Sequence, residues 1–441
     1  MSPLGEVLLG MGVEITGSDM KDGATVERLR SLGIPITIGH FAENIGPDID
    51  FVVRTAAVRD ENPEIISARE KGIPVFERTQ AWGALMTDYK NALCISGTHG
   101  KTTTTSMATH IFLAADRDPT VMIGGTLPLL ETGHRVGKGD TIILESCEYY
   151  DSFLSFFPTV AVVLNIEADH LDYFNGLEAV KTSFRSFAAL TPPDGFIVAN
   201  AEDENTMSAL APLGRELFTF GLTEAADCRA DNIVFHGLGS EFDIICRGEL
   251  FAHVRLRIPG MHNVKNAIAA TAASYCLGVG PDAVKEGLES FAGTLRRFEF
   301  KGEVNGADIY DDYAHHPGEL KALLDAAERL DYKRTILVFQ PHTYSRTKSL
   351  FADFRDQLRR ADVLYLADIY AAREQNTMGI SSQNLVDVIP GSRLIPTFEE
   401  LESELRRQAR AGDLILTVGA GDIYRVGEEL ALAKPSAVDS L

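Results

Sequence analysis

Several things are scarce in this chain, and each scarcity removes a class of protein. Cysteine is one: Cys94, Cys147, Cys228, Cys246 and Cys276 make an odd total of five, with no CxxC spacing. A disulfide framework or a paired-thiolate zinc site is therefore not expected, and the usage fits a reducing cytoplasm. Basic residues are outnumbered, 41 Lys and Arg against 63 Asp and Glu, for a net charge of −22. Phosphate-backbone binding needs basic surface, so the balance argues against nucleic acid as a partner. A phosphate-bearing small molecule needs only a local positive site. No apolar run approaches the ~20 residues of a membrane span, so membrane insertion is not expected. The stretch from Met1 to Ile15 lacks a basic lead and carries Glu6, unlike a signal peptide. Low-complexity tracts and short-period repeats are missing too.

What is present is apolar residue content of 45% over 441 residues, enough for sizeable cores. That length predicts two to four domains. Short apolar runs alternate with helical patterns throughout, which is the signature of an α/β fold. Three segments follow from the pattern: 1–90, 91–296 and 297–441. In the first, helices are expected at Leu4 to Met11, Thr25 to Leu32 and Pro63 to Lys71. Strands are expected there at Val13 to Gly17, Phe51 to Arg54 and Ile73 to Phe76. The second opens on the strand Ala92 to Ser96. It continues through strands Thr141 to Leu144 and Val160 to Asn165, a β-richer stretch near 231–258, and a helix from Asn263 to Leu277. The third has strands at Asp308 to Tyr310, Thr335 to Phe339, Val363 to Ala367 and Leu414 to Val418, and reads as a small doubly wound parallel sheet.

Chemistry concentrates where strands end. Gly97-Thr98-His99-Gly100-Lys101-Thr102 follows the apolar strand Leu93-Cys94-Ile95-Ser96 and precedes a helical pattern from Thr103 to Ala115. Strand, glycine turn and helix together are the context of a phosphate loop. The glycines let backbone N–H groups approach phosphate oxygens, and the helix N-terminus adds partial positive charge. Lys101 supplies a full charge for the β- and γ-phosphates, and Thr102 a hydroxyl for Mg²⁺. The longer GxxxxGK[ST] form wants glycine where Ile95 stands, so the match is to a shorter GTxGKT form.

Glu145 ends the strand Ile142-Ile143-Leu144, where ligands of open α/β sheets collect. A carboxylate there can reach a metal on a triphosphate. The next strand ends in Asn165-Ile166-Glu167-Ala168-Asp169-His170, a second polar cluster. Asn263 and Asn266 share a helix face if the helix starts near 263. Asn amides can pair with the donor and acceptor of an adenine edge, although Asn at a helix start is usually a cap. Asp311-Asp312-Tyr313-Ala314-His315-His316-Pro317 puts two carboxylates and two imidazoles at one strand end, more than a turn needs.

GTHGKTTT, NIEADH, PGMHNVKNA, the Arg296-Arg297-Phe298 turn, DDYAHHP and QPHTYSRT together resemble the Mur ligase family. The resemblance implies three domains: a Rossmann-like UDP-sugar domain, a central P-loop ATPase-type α/β domain and a C-terminal Rossmann-like domain. It implies an ATP- and Mg²⁺-dependent ligase of peptidoglycan synthesis. L-Alanine would be joined to the carboxylate of UDP-N-acetylmuramate through an acyl phosphate, and this choice of amino acid rests on DDYAHHP and QPHTYSRT. It also implies a cytoplasmic protein, monomer or weak homodimer, with small-molecule partners only.

The implied site residues follow the motifs. Gly97, Thr98, His99, Gly100, Lys101, Thr102 and Thr103 would cradle ATP. Thr102, Glu145 and His170 would hold the metal. Asn263 and Asn266 would read adenine, Arg297 would reach the phosphates, and Asp312 would contact ribose. Tyr313, His315 and His316 would face the γ-phosphate and incoming amino acid. Arg346 offers a planar fork for the amino-acid carboxylate, with His342 beside it. Lys101, His170, His315 and Arg346 are the expected catalytic set. In the first segment Ser18, Asp19, His40, Thr55, Ala56, Ala57 and Arg78 resemble UDP-sugar positions, although Arg78 alone reads equally as a surface arginine. The family's GxGGxGMS loop has its end at Met1-Ser2, so the first domain is expected to be truncated. Cys147 and Tyr150 depart from the commoner EADESDxSF string, so neither is carried over as a ligand. A relative that adds a whole tripeptide, and a nucleotide-binding protein without ligase activity, stay open as alternatives.

Overall fold

The computed structural model describes residues 1–432 apart from 56 and 172. The first segment holds α1 (Ser2–Gly10), β1 (Gly17–Asp19), α2 (Ala24–Ser31), β2 (Ile36–Ile38), β3 (Val52–Arg54), α3 (Pro63–Glu70), β4 (Val75–Glu77) and α4 (Arg78–Met86). Its strands form two parallel pairs, β1–β2 and β3–β4. The strand expected at Val13 to Gly17 begins at Gly17 instead, because its partner β2 spans only Ile36–Ile38 and pairs from Gly17 onward.

The middle segment runs β5 (Asn91–Ser96), α5 (Lys101–Ala114), β6 (Thr120–Leu127), β7 (Thr132–Arg135), β8 (Thr141–Glu145), β9 (Val160–Val163), α6 (Leu177–Ala189), β10 (Phe196–Asn200), α7 (Glu204–Leu210) and β11 (Phe218–Gly221). It ends with β12 (Cys228–His236), β13 (Gly239–Cys246), β14 (Glu249–Leu256), α8 (Met261–Cys276) and α9 (Pro281–Ser290). One ten-stranded sheet results, ordered β14-β13-β12-β11-β10-β9-β5-β8-β6-β7. Its central strands are continuous apolar runs because both faces are covered. Side chains alternate with period two. Leu93, Ile95, Ile143 and Val162 face the core packed by α5, α8 and α9. Cys94, Ile142, Leu144 and Val163 face the opposite core, which takes Trp82 of α4, Phe184 and Phe187 of α6, and Leu4 and Val7 of α1. The β-rich stretch is a three-stranded antiparallel extension of this sheet.

The third segment comprises β15 (Glu299–Val304), β16 (Ala307–Asp312), α10 (Pro317–Ala327), β17 (Arg334–Phe339), α11 (Tyr344–Ser349), α12 (Phe351–Leu358), β18 (Val363–Leu366), α13 (Ser382–Val386), β19 (Arg393–Leu394), α14 (Phe398–Gln408), β20 (Asp413–Val418) and α15 (Tyr424–Leu432). Its sheet, β15-β16-β20-β17-β18-β19, is parallel except for the β15 edge, which pairs antiparallel with β16. Leu337, Phe339 and Leu416 bury against α10 and α12 on one face. Ile336, Val338 and Ile415 bury against α14 and α15 on the other. The segments that follow β5 and β9 meet those that follow β16 and β17 across a cleft. Among the described residues no helix is long and apolar enough to cross a membrane.

Candidate active site

The phosphate loop is built by backbone geometry. Gly97 has φ 147° and lies against the backbone N of Leu164 and Asn165, where a Cβ would be 2.8–3.3 Å from its neighbours. Gly100 has φ 83°, a left-handed value, and leads directly into α5. A side chain at either position would be strained, which is the reason for glycine here. Asn165 ties the loop to β9: its Oδ1 accepts from His99 N at 2.8 Å and its Nδ2 donates to His99 O at 3.1 Å. Thr98 Oγ1 accepts from Glu167 N at 2.9 Å. Lys101 Nζ donates to the carbonyls of Gly97 and Thr98 and pairs with Glu148 Oε2 at 3.0 Å. Burial works against its charge, but the acidic groups around it, Glu148 foremost and Glu145 among them, together offset that and hold the ammonium above its ordinary pKa.

Thr102 Oγ1 donates to Glu145 Oε1 at 3.0 Å, while Glu145 Oε2 accepts from Gly124 N at 2.6 Å. The hydroxyl and carboxylate expected to share a metal are thus in contact. His170 lies 3.8 Å from Glu148 Oε1 and 3.9 Å from Asp169 Oδ2, with its ring stacked on Tyr149 at 4.2 Å. Burial lowers its pKa, against the opposing pull of Asp169 and Glu148.

A cleft of about 1030 Å³, its open mouth included, opens beside the loop. Asn263, Asn266, Arg297 and Asp312 all line it, as do His99, Gly100, Thr102 and Thr103. The helix carrying the two asparagines begins at Met261, after Gly260 at φ 96°. Asn263 Nδ2 donates to Pro259 O at 2.6 Å, and Asn266 Nδ2 to Asn263 Oδ1 at 3.3 Å. Both are buried. The two arginines of the RRF turn separate cleanly. Arg296 is committed to Asp311 at 3.0 Å and to the carbonyls of Gly419 and Gly421. Arg297 instead faces the cleft, 3.9 Å from Glu319 Oε1. Tyr313 lies beneath both guanidinium groups, at 4.9 and 5.2 Å. Burial pushes the Asp312 carboxyl up to about 6.

Charged pairs cross the cleft between the middle and third segments. Arg346 Nη2 meets Asp169 Oδ1 at 2.9 Å, and its Nε meets the same oxygen at 3.2 Å. Its remaining nitrogen is 3.3 Å from His342 Nδ1. His99 bridges Glu167 at 3.3 Å and Glu319 at 3.4 Å. Burial opposes its charge, yet the two carboxylates raise its pKa to about 9, making it an imidazolium. His315 and His342 are lowered to about 4, by burial first and by Arg346 among other charges. His315 Nδ1 donates to Tyr313 O at 3.0 Å, which leaves the Nε2 lone pair of a neutral ring available. His316 also loses basicity to burial and to the neighbouring His99 charge.

The first segment gathers its own polar cluster. Ser18 Oγ donates to Glu64 Oε2 at 2.8 Å, His40 Nδ1 lies 3.0 Å from the same oxygen, and Asn44 Nδ2 donates to Glu64 Oε1 at 2.6 Å. Asp19 accepts from Lys21 N at 3.0 Å and Thr55 Oγ1 accepts from Ala57 N at 3.1 Å, both local turn contacts. Arg78 is exposed at the start of α4. Ala56 lies outside the described residues. Two members of these networks escaped the sequence reading. Glu64 is masked by its place in an ordinary helix. Glu319 was signalled by His316-Pro317-Gly318-Glu319, which forms a capping box around α10.

Comparison with known proteins finds three family matches along the chain. Residues 1–90 match the Mur ligase family catalytic domain, 95–274 the Mur ligase middle domain, and 296–421 the Mur ligase glutamate ligase domain. The UDP-N-acetylmuramate–L-alanine ligase of Caldanaerobacter subterraneus subsp. tengcongensis is 46% identical over 435 residues, 97% of this chain and 94% of that protein. That of Clostridium novyi is 44% identical over 438 residues, 98% and 95%. Among solved structures, the UDP-N-acetylmuramate–alanine ligase of Thermotoga maritima superposes with a TM-score of 0.80 at 28% identity, covering 98% of this chain and 95% of that one. A murein peptide ligase from Psychrobacter arcticus shares the fold, with a TM-score of 0.68 at 23% identity and the same coverage. Full-length similarity to named ligases and three consecutive domain matches lead to one assignment: the chain belongs to the Mur ligase family.

Proposed function

We propose that this chain is a UDP-N-acetylmuramate–L-alanine ligase, forming an amide between L-alanine and the muramate carboxylate in peptidoglycan precursor synthesis. Members of the Mur ligase family use ATP. The observation that carries the reading is the cross-cleft pairing of Arg346 with Asp169, which puts QPHTYSRT of the third segment against NIEADH of the middle segment. In this reading residues 1–90 bind the UDP-sugar, 91–296 bind ATP, and 297–441 bring the amino acid and close over the nucleotide. Ser18, Asp19, His40, Thr55 and Arg78 serve the UDP-sugar, with Glu64 holding Ser18 and His40. The protein works in the cytoplasm, as a monomer or weak homodimer.

The reaction proceeds in two steps. The muramate carboxylate attacks the γ-phosphorus of ATP, and ADP leaves. The amine of L-alanine then adds to the resulting acyl phosphate, loses a proton and expels phosphate. No protein nucleophile is required, so catalysis rests on positioning and charge. The P-loop amides and Lys101 hold the transferring phosphoryl group. Asn263 and Asn266 read adenine, Asp312 the ribose, and Arg297 the phosphates. Arg346 and His342 hold the alanine carboxylate. His315, uncharged, and His316 and Tyr313 face the amine and γ-phosphate.

Thr102 and Glu145 offer adjacent hard oxygen donors, which suit Mg²⁺. His170 completes the set in this reading. Bound Mg²⁺ supplies charge neutralisation at the phosphates.

The test is phosphate release with ATP, Mg²⁺, UDP-N-acetylmuramate and a panel of amino acids and a tripeptide. L-Alanine should give the highest kcat/KM. Release that needs the tripeptide, or none with any acceptor, would replace this reading by one of its two alternatives.

A further inference from the structure

We propose that the cleft carries a divalent transition-metal site of the zinc class, formed by His99 Nε2, Glu167 Oε2 and His316 Nδ1. Each of the three residues brings a ligand atom within 4.8 Å of the others. His99 Nε2 is 3.3 Å and His316 Nδ1 3.7 Å from Glu167 Oε2. Ligands around a tetrahedral zinc at ~2.1 Å stand about 3.4 Å apart, so the two spacings to Glu167 fit with little movement, and the two imidazole nitrogens lie within 4.8 Å of each other.

The three atoms converge on one point beside Gly318. A Cβ added there would lie 2.9 Å from Glu167 Oε2, 3.2 Å from His99 Nε2 and 3.3 Å from His316 Nδ1. Gly318 is inside α10 and needs no unusual backbone angle, so its missing side chain serves space rather than conformation.

The outer groups are also arranged for a cation. His99 Nδ1 lies 3.4 Å from Glu319 Oε1, placed for the carboxylate–histidine–metal arrangement that orients a ligating ring; His99 is an imidazolium here, so an ion takes Nε2 in exchange for its proton, which is released to solvent. His316 Nδ1 accepts from Gly318 N at 3.1 Å, so its lone pair is directed at that N–H, and a bound ion takes the place of that hydrogen bond. His316 Nε2 is buried with no hydrogen-bond partner among the described residues. Two imidazoles and one carboxylate favour zinc over magnesium. The site is separate from the Thr102–Glu145 pair, whose donors are all oxygen. His99 comes from the phosphate loop, Glu167 from the segment after β9, and His316 from the third segment. An ion here ties the two walls of the cleft together and inhibits a ligase that must open between turnovers.

The experiment is Zn²⁺ titration of the full chain in excess Mg²⁺, in competition with a chromophoric chelator. One ion should bind with the wild type. Gly318→Ala, which keeps every ligand and adds a methyl group at the convergence point, should lose it, as should His316→Ala. Glu319→Gln should weaken it 10–100-fold, the usual effect of removing an outer-shell partner. Glu145→Gln should bind zinc like the wild type. Zinc affinity unchanged in both Gly318→Ala and His316→Ala overturns the site, including the case where the exposed Cys147 is the ligand. The wild type alone gives a second measurement: Co²⁺ should show the strong visible absorption of four-coordination, and a weak six-coordinate spectrum overturns the site without any variant. Neither readout needs ligase turnover, so this proposal fails separately from the assigned activity.

Discussion

Replacing Arg346 with methionine isolates the pair that joins the two sides of the cleft. Arg346 and Asp169 are 2.9 Å apart with side chains only 10% and 9% exposed. At an effective dielectric of ~20 the gross attraction at that distance is about 6 kcal/mol. Desolvation consumes much of it, so the pair as a whole contributes far less. Removing one partner is different, because Asp169 stays buried with its main counter-charge gone. Such losses cost about 3–5 kcal/mol. Burial alone would raise the Asp169 pKa, and Arg346, followed by His170, brings it below the ordinary carboxylate range. A depressed carboxylate contributes stability above its unfolded pKa and loses it as pH falls through the folded value. The gap between wild type and variant should therefore be full at pH 7 and narrow below about pH 4. Urea unfolding followed by far-UV circular dichroism, with Trp82 fluorescence reporting the middle core, measures both. The double variant Asp169→Asn/Arg346→Met should recover at least about half of the loss, since no charge remains unpaired. An Arg346→Met variant within about 0.5 kcal/mol of wild type, or a double variant no better than the single, would refute the reasoning.

Lys101→Ala should abolish L-alanine-dependent phosphate release; turnover near the wild-type rate would remove the ammonium from the phosphate site. Glu145→Ala should shift the Mg²⁺ concentration for half-maximal rate upward by tenfold or more, and an unchanged Mg²⁺ curve would separate Glu145 from the metal. Asp312, raised to about 6 by burial, binds its proton more tightly folded than unfolded. Its contribution to stability is thus present below the unfolded value near 4 and is lost as pH rises through 6. Asp312→Asn should erase that decline between pH 4 and 6, read by thermal unfolding across the range. Gly83 of α4 lies under the Ser155 carbonyl, where an added Cβ would be 1.9 Å from the oxygen. Gly83→Ala should cost more than about 1–3 kcal/mol, as overpacking against backbone does, and a normal melting temperature would exclude so close an approach.

The legible parts of this fold are those where one local rule decides. β5, β8 and β9 are buried on both faces, so each appears as an uninterrupted apolar run. The harder elements have divided loyalties. β6 contains Gly124-Gly125, a pair typical of turns, yet Gly124 is there because a Cβ would meet Glu145 Oε1 at 2.7 Å. β19 spans only Arg393–Leu394 and exists through its pairing with β18. β15 was hidden in the charged string Glu299-Phe300-Lys301-Gly302-Glu303-Val304, and it holds an antiparallel edge that alternation alone does not orient.

The site divides along the same line. GTHGKT, Glu145 and DDYAHHP were legible because each sits at a strand end, where sequence neighbours are also neighbours in space. The residues that join one motif to another were not. Glu319 holds His315 N at 2.9 Å and faces His99 and Arg297, which are far from it in sequence. Its acidity comes from those contacts: burial opposes the charge, and His315 and His99 overcome it, leaving the carboxyl well below its ordinary pKa. Nothing in a helix-start capping box announces this second employment. The consequence is physical. Charges that a sequence shows as separate strings, His99 with the phosphate loop and Glu319 with α10, neutralise one another only when the two walls meet. With Glu167 of its own segment and Glu319 of the facing one beside it, His99 stands at a pKa of about 9, above its ordinary value.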